Sequence, residues 1–408
     1  MRISRFGRYA LSGCVVAAML GGCGGSQPPI GASSAGPTTR QTHSGVTYEV
    51  LYNFEGPPED GGNPRASLIS VNGTLYSTTQ GGGRKNHGTV FTITTAGAEA
   101  VLHSFGGPKD GSTPYARLIN VNGTLYGTTT HGGAHHLGTV FAITTSGSET
   151  VLHSFKGYPH DGAAPVPGLL NVNGTLFGTT FYGGRNKCYG KGCGTVFSIT
   201  VSGKETVLHS FAGSDGKFPA ADLIDVKGKL YSTTDYGGAN CIPSGGCGTV
   251  FSITRSGREV VLHSFGDGAG DGQYPYAGLI YVKGVLYGST TNGGAKDYGM
   301  VFSIKLSGKE TVLHSFGGGS EDGRGPEGDL ANMNGTAFGT TWAGGEYNWG
   351  TVFSVTTGGS ESLLYNFKGG SADGEDPVGG LVNLNGTLYG TTAIGGVHDE
   401  GTVFELMP

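Results

Sequence analysis

Asp-Gly pairs recur along the chain and are its clearest candidates for chemistry. Each pair follows a segment of the form Leu-(His/Tyr)-(Ser/Asn)-Phe, and the aspartates are Asp60, Asp110, Asp161, Asp215, Asp271, Asp322 and Asp373. Seven carboxylates on one face could bind Ca²⁺, but a Ca²⁺ site needs several oxygens around one ion, and each copy supplies one aspartate. We therefore expect each carboxylate to hold its own backbone in an Asx-type turn.

Histidine or tyrosine occupies the second position of the Leu-(His/Tyr)-(Ser/Asn)-Phe segment in every copy. These residues are Tyr52, His103, His153, His209, His263, His314 and Tyr365. A catalytic role needs one special residue, whereas this position repeats. Because tyrosine replaces histidine in two copies, the pattern predicts a structural hydrogen bond that ties a strand to its loop.

A second group of histidines lies in variable loops and includes His87, His131, His135, His136 and His398. Imidazole suits Zn²⁺, Cu²⁺ or Ni²⁺, so a transition-metal site is one interpretation. These residues show no recognised ligand spacing and no evident carboxylate partner, which favours solvated surface histidines. The chain also lacks a nucleophile elbow, an H-E-x-x-H motif and a phosphate loop. We therefore predict no metal, no cofactor and no catalytic residues.

Aromatic residues break the symmetry of the repeat in the loops of copies three to six. Such rings can stack on sugar faces or anchor a protein partner. The alternative is that they pack between neighbouring loops. The candidate ligand-binding residues are Phe181, Tyr182, Tyr236, Tyr298, Trp342, Tyr347 and Trp349.

Four cysteines lie in two of the same loops, Cys188 and Cys193 in copy three and Cys241 and Cys247 in copy four. In an exported protein two local pairs predict disulfides, formed either within each loop or between adjacent copies. A zinc site with four thiolates is the alternative.

A module of about fifty residues positions all of these side chains. Its Leu-(His/Tyr)-(Ser/Asn)-Phe segment is followed by Asp-Gly, by a hairpin with a central Asn-Gly or Lys-Gly, by Gly-Gly and by Gly-(Thr/Met)-Val-Phe. The phenylalanine that closes the first segment recurs seven times, at spacings of 50 to 56 residues: Phe54, Phe105, Phe155, Phe211, Phe265, Phe316 and Phe367. Seven copies of one unit favour a single closed array over several separate domains.

Each module reads as four antiparallel strands. In the second copy, residues 118–121 and 124–128 are β-type runs joined by Asn122-Gly123, a strong signal for a type I′ hairpin. Residues 138–144 and 149–155 form a second hairpin. No window has a helical apolar period, and one such meander cannot bury both of its faces alone. Radial stacking solves this problem, so we predict an all-β, seven-bladed β-propeller over residues 47–408.

The two ends of the array are complementary. Residues 48–54 form a fourth strand without the first three, and residues 381–406 supply strands one to three without a fourth. We expect the N-terminal strand to complete the last blade and so to remove an open sheet edge. An open β-solenoid is the alternative, but solenoids need capping ends.

The repeat resembles two known plans. The strand, Asn-Gly turn, Leu-Tyr strand and Gly-Gly are similar to the kelch repeat, although the usual tryptophan of strand four is absent. A closer resemblance is to the bacterial GloVer tandem-repeat proteins, through L-Y-G-T-T, G-G and G-T-V-F at residues 125–141 and 388–404. That resemblance covers all seven copies and implies an exported cell-surface protein with one of several anchoring signals. It implies no catalytic residues.

The first residues look like an export signal. An arginine-bearing start and an apolar stretch lead to Leu20-Gly21-Gly22-Cys23, which resembles a lipobox. We predict a lipoprotein signal peptide over residues 1–22, lipidation of Cys23 and a flexible tether over residues 23–46 rich in Gly, Ser, Pro and Thr. The protein would then be lipid-anchored at the bacterial outer membrane or cell surface; an ordinary cleaved signal is the alternative.

Net charge limits the partners. The chain carries 25 basic and 30 acidic residues, and loss of the three arginines of the leader would leave a net charge of −8. Nucleic-acid binding needs a basic stripe, which is not visible here. We expect a monomer that meets the membrane only through its anchor. It would bind a glycan or a protein at the cell surface, without catalysis, through the end of the blades that carries the long, variable loops. The alternatives are a polysaccharide hydrolase or lyase that uses acids such as Asp235 and Asp225, and a structural envelope protein.

Overall fold

Seven antiparallel sheets of four strands account for the repeat. The computed structural model describes residues 40–43, 45–107, 109–241 and 245–408, and in these residues the sheets follow one another along the chain. The first strands of neighbouring blades contact one another around a central axis. The protein is therefore an all-β, seven-bladed propeller, as the repeat predicts.

The strands of each blade run outward from the axis in chain order. The first strands, numbered here by blade, are Ile69–Val71, Ile119–Val121, Leu170–Val172, Ile224–Val226, Ile280–Val282, Ala331–Met333 and Val382–Leu384. The second strands are Thr74–Thr79, Thr124–Thr129, Thr175–Thr180, Lys229–Thr234, Val285–Thr290, Thr336–Thr341 and Thr387–Thr392.

The outer half of each blade is a second hairpin. The third strands are Thr89–Ile93, Thr139–Thr144, Thr195–Thr200, Thr249–Thr254, Met300–Lys305, Thr351–Thr356 and Thr402–Met407. The fourth strands of blades 1 to 6 are Glu99–Ser104, Glu149–Ser154, Glu205–Ser210, Glu259–Ser264, Glu310–Ser315 and Glu361–Asn366.

Blade 7 takes its outermost strands from the start of the described chain. Val46–Asn53 pairs antiparallel with Thr402–Met407, and Arg40–His43 pairs with Val46–Asn53 as a fifth strand. The fifth strand lies within residues 23–46, which the sequence assigns to a tether. Residues 24–39 and 44 of that segment, the leader and Cys23 lie outside the described residues.

Short two-stranded pairs connect the loops at one end of the blades. They join the segment before a blade's first strand to the segment after its second strand. The pairs are Gly61–Gly62 with Gly81–Gly82, Gly111–Ser112 with His131–Gly132, Gly162–Ala163 with Tyr182–Gly183, Gly272–Gln273 with Asn292–Gly293, Gly323–Arg324 with Ala343–Gly344, and Gly374–Glu375 with Ile394–Gly395. In blade 4 a single bridge between Lys217 and Tyr236 takes this place, and a 3₁₀ turn spans Gly370–Ala372.

Tight turns join the strands at the opposite end of each blade. Asn72 and Gly73 have φ of 52° and 84°, the left-handed values that a type I′ hairpin requires at both central positions. Asn or Lys followed by Gly takes the same conformation in every blade. The connections at the other end are longer and vary in sequence, and we call that end the long-loop face.

The core lies between the blades. The phenylalanine that ends each fourth strand packs edge-on against the phenylalanine of Gly-(Thr/Met)-Val-Phe in the next blade. Phe155 and Phe197, for example, have ring centroids 5.3 Å apart and planes at 72°. Both are fully buried, and a Cβ on Gly178 would lie 2.6 Å from the Phe197 ring. The two phenylalanine motifs, and the glycine that faces the ring of Phe197, are therefore required for the blades to stack.

None of the described residues forms a helix with the length and apolarity that a membrane span requires.

Candidate functional site

The repeated aspartates hold the loops that follow the fourth strands. In the loop after the fourth strand of blade 2, Asp161 accepts the N–H of Gly162 at Oδ1 (2.7 Å) and that of Lys156 at Oδ2 (2.8 Å). Its Oδ2 also lies 3.1 Å from Nε2 of His153. Tyr52 and Tyr365 donate their hydroxyl protons to Asp60 and Asp373 in the same way, at 2.9 and 2.8 Å. The predicted backbone role of the aspartates and the shared hydrogen bond of the His/Tyr position are confirmed.

A glutamate from the next blade completes six of these clusters, and sequence reasoning missed it. The ligand atoms of His103, Asp110 and Glu149 all lie within 4.8 Å of one another, although Glu149 begins the fourth strand of the following blade. Burial raises the pKa of Glu149 to about 7, with a contribution from the Asp110 charge. The signal was present in the sequence, because a glutamate opens the fourth strand of blades 1 to 6: Glu99, Glu149, Glu205, Glu259, Glu310 and Glu361.

Blade 7 has a tyrosine where the other blades have this glutamate. Tyr48 donates its hydroxyl proton to Asp373 Oδ1 at 2.6 Å and stacks on Tyr365 with ring centroids 3.8 Å apart. Asp373 thus joins the fourth strands of blades 6 and 7. We call these seven groups the interblade clusters.

In three interblade clusters the ligand atoms of a possible transition-metal site lie within 4.8 Å of one another. They combine one imidazole with two carboxylates, and they contain His103, His153 and His209. In each of them the histidine nitrogen and the aspartate are already engaged in hydrogen bonds. Across the described residues, these close groups of three ligand side chains include none of the loop histidines such as His87 or His398.

The predicted aromatic residues of blades 3 and 4 come together on the long-loop face. Phe181 stacks on Phe218 at 5.0 Å, and Tyr182 and Tyr236 contact Phe218 edge-on at 5.5 and 6.0 Å. Phe181 and Phe218 are buried, whereas Tyr189 beside them is 79% exposed. We call Tyr182, Tyr189, Phe218 and Tyr236 the aromatic patch.

A lysine and two disulfides lie against the aromatic patch. Lys217 Nζ is 5.4 Å from the ring of Tyr189 and 5.9 Å from that of Tyr236, within cation–π range. The disulfides Cys188–Cys193 and Cys241–Cys247 each close one loop, which confirms the predicted disulfides and settles their pairing. Disulfides of this kind indicate an extracellular or periplasmic protein.

The remaining predicted aromatic residues do not join this patch. Trp342 and Tyr298 flank Arg324, whose Cζ lies 5.6 and 5.9 Å from their rings. Tyr347 and Trp349 are 42% and 44% exposed. The sequence placed all of these residues in one class of loop, and the structure distributes that class around the long-loop face.

Seven left-handed residues form a ring on the long-loop face. Each donates its N–H to a carbonyl of the preceding blade and accepts an N–H from its own blade, as Phe218 does with Cys193 (2.8 Å) and Asp235 (3.1 Å). The residues are Asn63, Thr113, Ala164, Phe218, Tyr274, Gly325 and Asp376, with φ between 51° and 65°. This conformation costs roughly 1–2 kcal/mol for a residue with a side chain, so the neighbouring blades must hold it in place.

The segments between this ring and the first strands surround a cavity on the axis. The cavity, which we call the axial cavity, has an empty volume of about 440 Å³ including space open to solvent. Corresponding positions of the seven blades contribute chemically different side chains here. Its charged and aromatic lining residues are Arg65, Tyr115, Arg117, Asp222, Tyr276, Glu327 and Asp329.

Ion pairs and peptide hydrogen bonds organise the axial cavity. Arg117 donates from Nε to Oδ2 of Asp222, and the Asp222 charge raises the pKa of Arg117. Asp222 Oδ1 accepts the N–H of Gly168 at 2.5 Å, and Asp329 Oδ1 accepts that of Gly278 at 2.6 Å. Burial, followed by the Asp222 charge, raises the pKa of Asp329 above its usual range.

Asp235 lies beside this cavity, at the end of the second strand of blade 4. Burial raises the pKa of Asp235 to about 8, and the Glu327 charge contributes to the same shift. Asp225 lies at the other end of that blade, where it accepts the N–H of Gly228 (2.8 Å) and pairs with Arg255 (2.6 Å). The two acids suggested for a hydrolase or lyase are therefore not brought together.

Comparison with known proteins agrees with the repeat and the fold. A family model for the Gloeobacter/Verrucomicrobia repeat matches residues 25–244 and 242–408. Comparison with curated proteins gives no match.

Solved structures with the same fold differ widely in activity. An oligogalacturonate lyase from Vibrio parahaemolyticus is 8% identical, with a TM-score of 0.55 over 91% of this chain and 96% of the lyase. The computationally designed protein Ika8 is 14% identical, with a TM-score of 0.50 over 92% and 98%. A puromycin hydrolase is 12% identical, with a TM-score of 0.52 over 83% of this chain and 52% of the hydrolase. At these identities the likeness concerns the fold alone.

Proposed function

The chain belongs to the Gloeobacter/Verrucomicrobia repeat family, and we propose that it is an exported, non-enzymatic lipoprotein whose propeller binds a glycan through the long-loop face. Lipidation of Cys23 would hold the protein at the outer membrane or cell surface as a monomer.

This proposal rests on where in the structure the seven repeats differ in their side chains. Residues that recur in the blades stack them, turn them or tie them together, as Phe155, His153 and Asp161 do. The side chains that differ gather on the long-loop face, in the aromatic patch and the axial cavity. Binding residues are commonly found on loops that a rigid scaffold positions.

The chemistry of this face favours a sugar over a protein partner. The exposed Tyr189 and the half-buried Tyr236 offer flat apolar rings beside hydroxyl groups, which match the apolar face and the hydroxyls of a sugar ring. The axial cavity adds carboxylates, guanidinium groups and tyrosine hydroxyls within one concave space. Concave sites with a few directed polar groups suit a small ligand or a chain end.

A glycan array tests this function. We expect the full chain to bind one class of oligosaccharide, and the variant Tyr189→Ala/Tyr236→Ala to lose at least tenfold in affinity because both rings of the contact are removed. Tyr281→Ala is the matched control, since Tyr281 is exposed at the tight-turn end of blade 5. Binding that survives in the double variant would exclude the aromatic patch as the site, and an array without signal would contradict glycan binding.

A further inference from the structure

Lys217 places a buried positive charge against the aromatic patch. The residue is only 8% exposed, and its Nζ lies 5.4 Å from the ring centroid of Tyr189, 5.6 Å from that of Phe218 and 5.9 Å from that of Tyr236. Within the part of the chain that the structure describes, this Nζ makes no ion pair and no hydrogen bond. The ring faces replace part of the hydration that a buried ammonium group loses, but they carry no net negative charge.

The loop of blade 3 that supplies Tyr182 and Tyr189 to the patch is basic. Residues 181–194 contain neither aspartate nor glutamate, and their charged residues are Arg185, Lys187 and Lys191. Lys191 is exposed, and its Nζ lies 5.2 Å from the ring centroid of Tyr182. On a chain with a net charge of -5, this part of the long-loop face concentrates positive charge.

The carboxyl groups that blade 4 brings to the same face do not neutralise Lys217. Asp215 is engaged in an interblade cluster, and Asp222 is engaged in the ion pair of the axial cavity. Burial raises the pKa of Asp235 to about 8, so near pH 7 this group is mainly a neutral acid. The ammonium group of Lys217 therefore lacks a counter-charge from the loops of its own blade.

Gly245 leaves space beside this ammonium group. A Cβ at Gly245 would lie 3.2 Å from Nζ of Lys217 and 3.7 Å from the hydroxyl oxygen of Tyr189. Tyr189 is 79% exposed, and its ring is close enough to Nζ for one sugar residue to contact both. A ligand that stacks on Tyr189 can thus present a charged substituent to Lys217.

We propose that the aromatic patch binds an acidic glycan, one whose sugar rings carry carboxylate or sulfate groups. This inference rests on the proposed glycan-binding function and names the class of glycan. A sugar ring would pack on Tyr189 while its acidic group forms an ion pair with Lys217, and Lys191 would meet a further acidic sugar of the same glycan. A neutral sugar leaves the buried ammonium group without a counter-charge, and a protonated amino sugar adds a like charge.

Calorimetric titration of the full chain tests the proposal with two matched pairs of probes. One pair is tetragalacturonate and its methyl ester, and the other is 6-O-sulfated cellotetraose and cellotetraose. In at least one pair we expect the acidic member to bind roughly tenfold or more tightly than the neutral one at low ionic strength, and to weaken as salt screens the charges. The pair that shows the difference identifies the acidic group. Equal binding of the two members in both pairs would overturn the proposal.

Variants of Lys217 locate the site. Lys217→Met keeps the apolar stem and removes the charge, so it should weaken binding of the acidic tetramer roughly tenfold or more and leave binding of its neutral partner unchanged. Lys217→Arg should retain the preference for the acidic member. Lys229→Met is the matched control, since Lys229 is exposed at the tight-turn end of the same blade. Unchanged affinity of Lys217→Met for the acidic tetramer would remove Lys217 as the anion site.

The wild-type preference between the members of a pair needs no variant, so misfolding of a variant leaves the proposal testable. Tight binding of neutral glycans alone would retain glycan binding and overturn the acidic assignment. If no glycan bound but tetraglutamate bound in a manner that Lys217→Met abolished, the anion site would stand and the glycan function would fall. If neither bound, both would fall.

Discussion

At the scale of single residues, the interblade clusters show how a repeated side chain becomes structural. Asp161 satisfies two backbone N–H groups and a histidine at once, which removes it from any role in binding. The glutamate of the next blade approaches the same cluster with a buried carboxyl group. Sequence reasoning predicted the aspartate and the histidine correctly because both partners lie within eight residues of each other. It missed the glutamate because that contact depends on how adjacent blades twist together.

The glutamates make stability depend on pH. Burial raises the pKa of Glu149, Glu205, Glu259 and Glu310 to about 7 and that of Glu99 to about 8. A carboxyl group with a raised folded pKa stabilises the fold below its unfolded pKa, and this contribution is lost as the pH rises through the folded pKa. Burial lowers the pKa of His263, but the Asp271 carboxylate, 3.5 Å from Nε2, outweighs burial and raises that pKa, which acts in the same direction.

We therefore expect the melting temperature to fall as the pH rises from about 5 to 8. Each glutamate should contribute on the order of 1 kcal/mol after allowance for solvent screening. A variant with glutamine in place of Glu149, Glu205, Glu259 and Glu310 should show a flatter melting profile over this range, measured by circular dichroism. Glu59→Gln, at an exposed glutamate, is the control; an equally steep profile in the fourfold variant would contradict the assignment. Burial alone would raise the pKa of Asp110, but its hydrogen bond to His103 outweighs burial and lowers that pKa. This lowered pKa adds a separate loss of stability below pH 4.

At the scale of elements, the fourth strand of each blade is followed by a phenylalanine that packs in the core between that blade and the next. The sequence predicted the strands and their hairpins well, because Asn-Gly turns and alternating β-type runs are local signals. It did not predict the axial cavity. The segments that line it look like short linkers, and they meet only because the array closes on itself. Residues such as Arg65 and Glu327 are far apart in the chain and share no local pattern.

Loss of one phenylalanine ring between two blades should destabilise the whole propeller. Phe155→Ala removes a fully buried ring that contacts Phe197, and such changes cost about 3–5 kcal/mol. Urea denaturation followed by fluorescence should show this loss as a lower midpoint. Val201→Ala is the control, since Val201 is 45% exposed in the tight turn of blade 3 and should change stability by about 0.5 kcal/mol or less. A similar midpoint for both variants would mean that blade stacking does not limit stability.

At the scale of the whole molecule, the two ends of the described chain meet in blade 7. Val46–Asn53 lies between Thr402–Met407 and Arg40–His43, and Tyr48 ties this blade to Asp373. The missing strands of the first and last repeats predict such a closure. The same reasoning did not show which aromatic residues would contact one another, because these residues have no partners in sequence.

The proposed anchor predicts where the protein is found in the cell. Replacement of Cys23 by serine removes the thiol that lipidation requires, so the variant should move from the membrane fraction to the soluble exported fraction. Immunoblots of fractionated cells measure this shift, and incorporation of radiolabelled palmitate measures lipidation directly. Cys14→Ser is the control, since it lies in the predicted leader. Equal membrane retention in both variants would contradict the lipid anchor.

The ring of left-handed residues has a consequence for how relatives of this protein can diverge. The backbone at these seven positions makes the same two hydrogen bonds whether the side chain is Asn, Thr, Ala, Phe, Tyr, Gly or Asp. Six of these positions carry different side chains on one backbone course, whereas a Cβ on Gly325 would collide with Trp342. A single substitution at one of the six can alter what the long-loop face recognises while the path of the chain is kept, so new specificities are accessible to evolution one residue at a time.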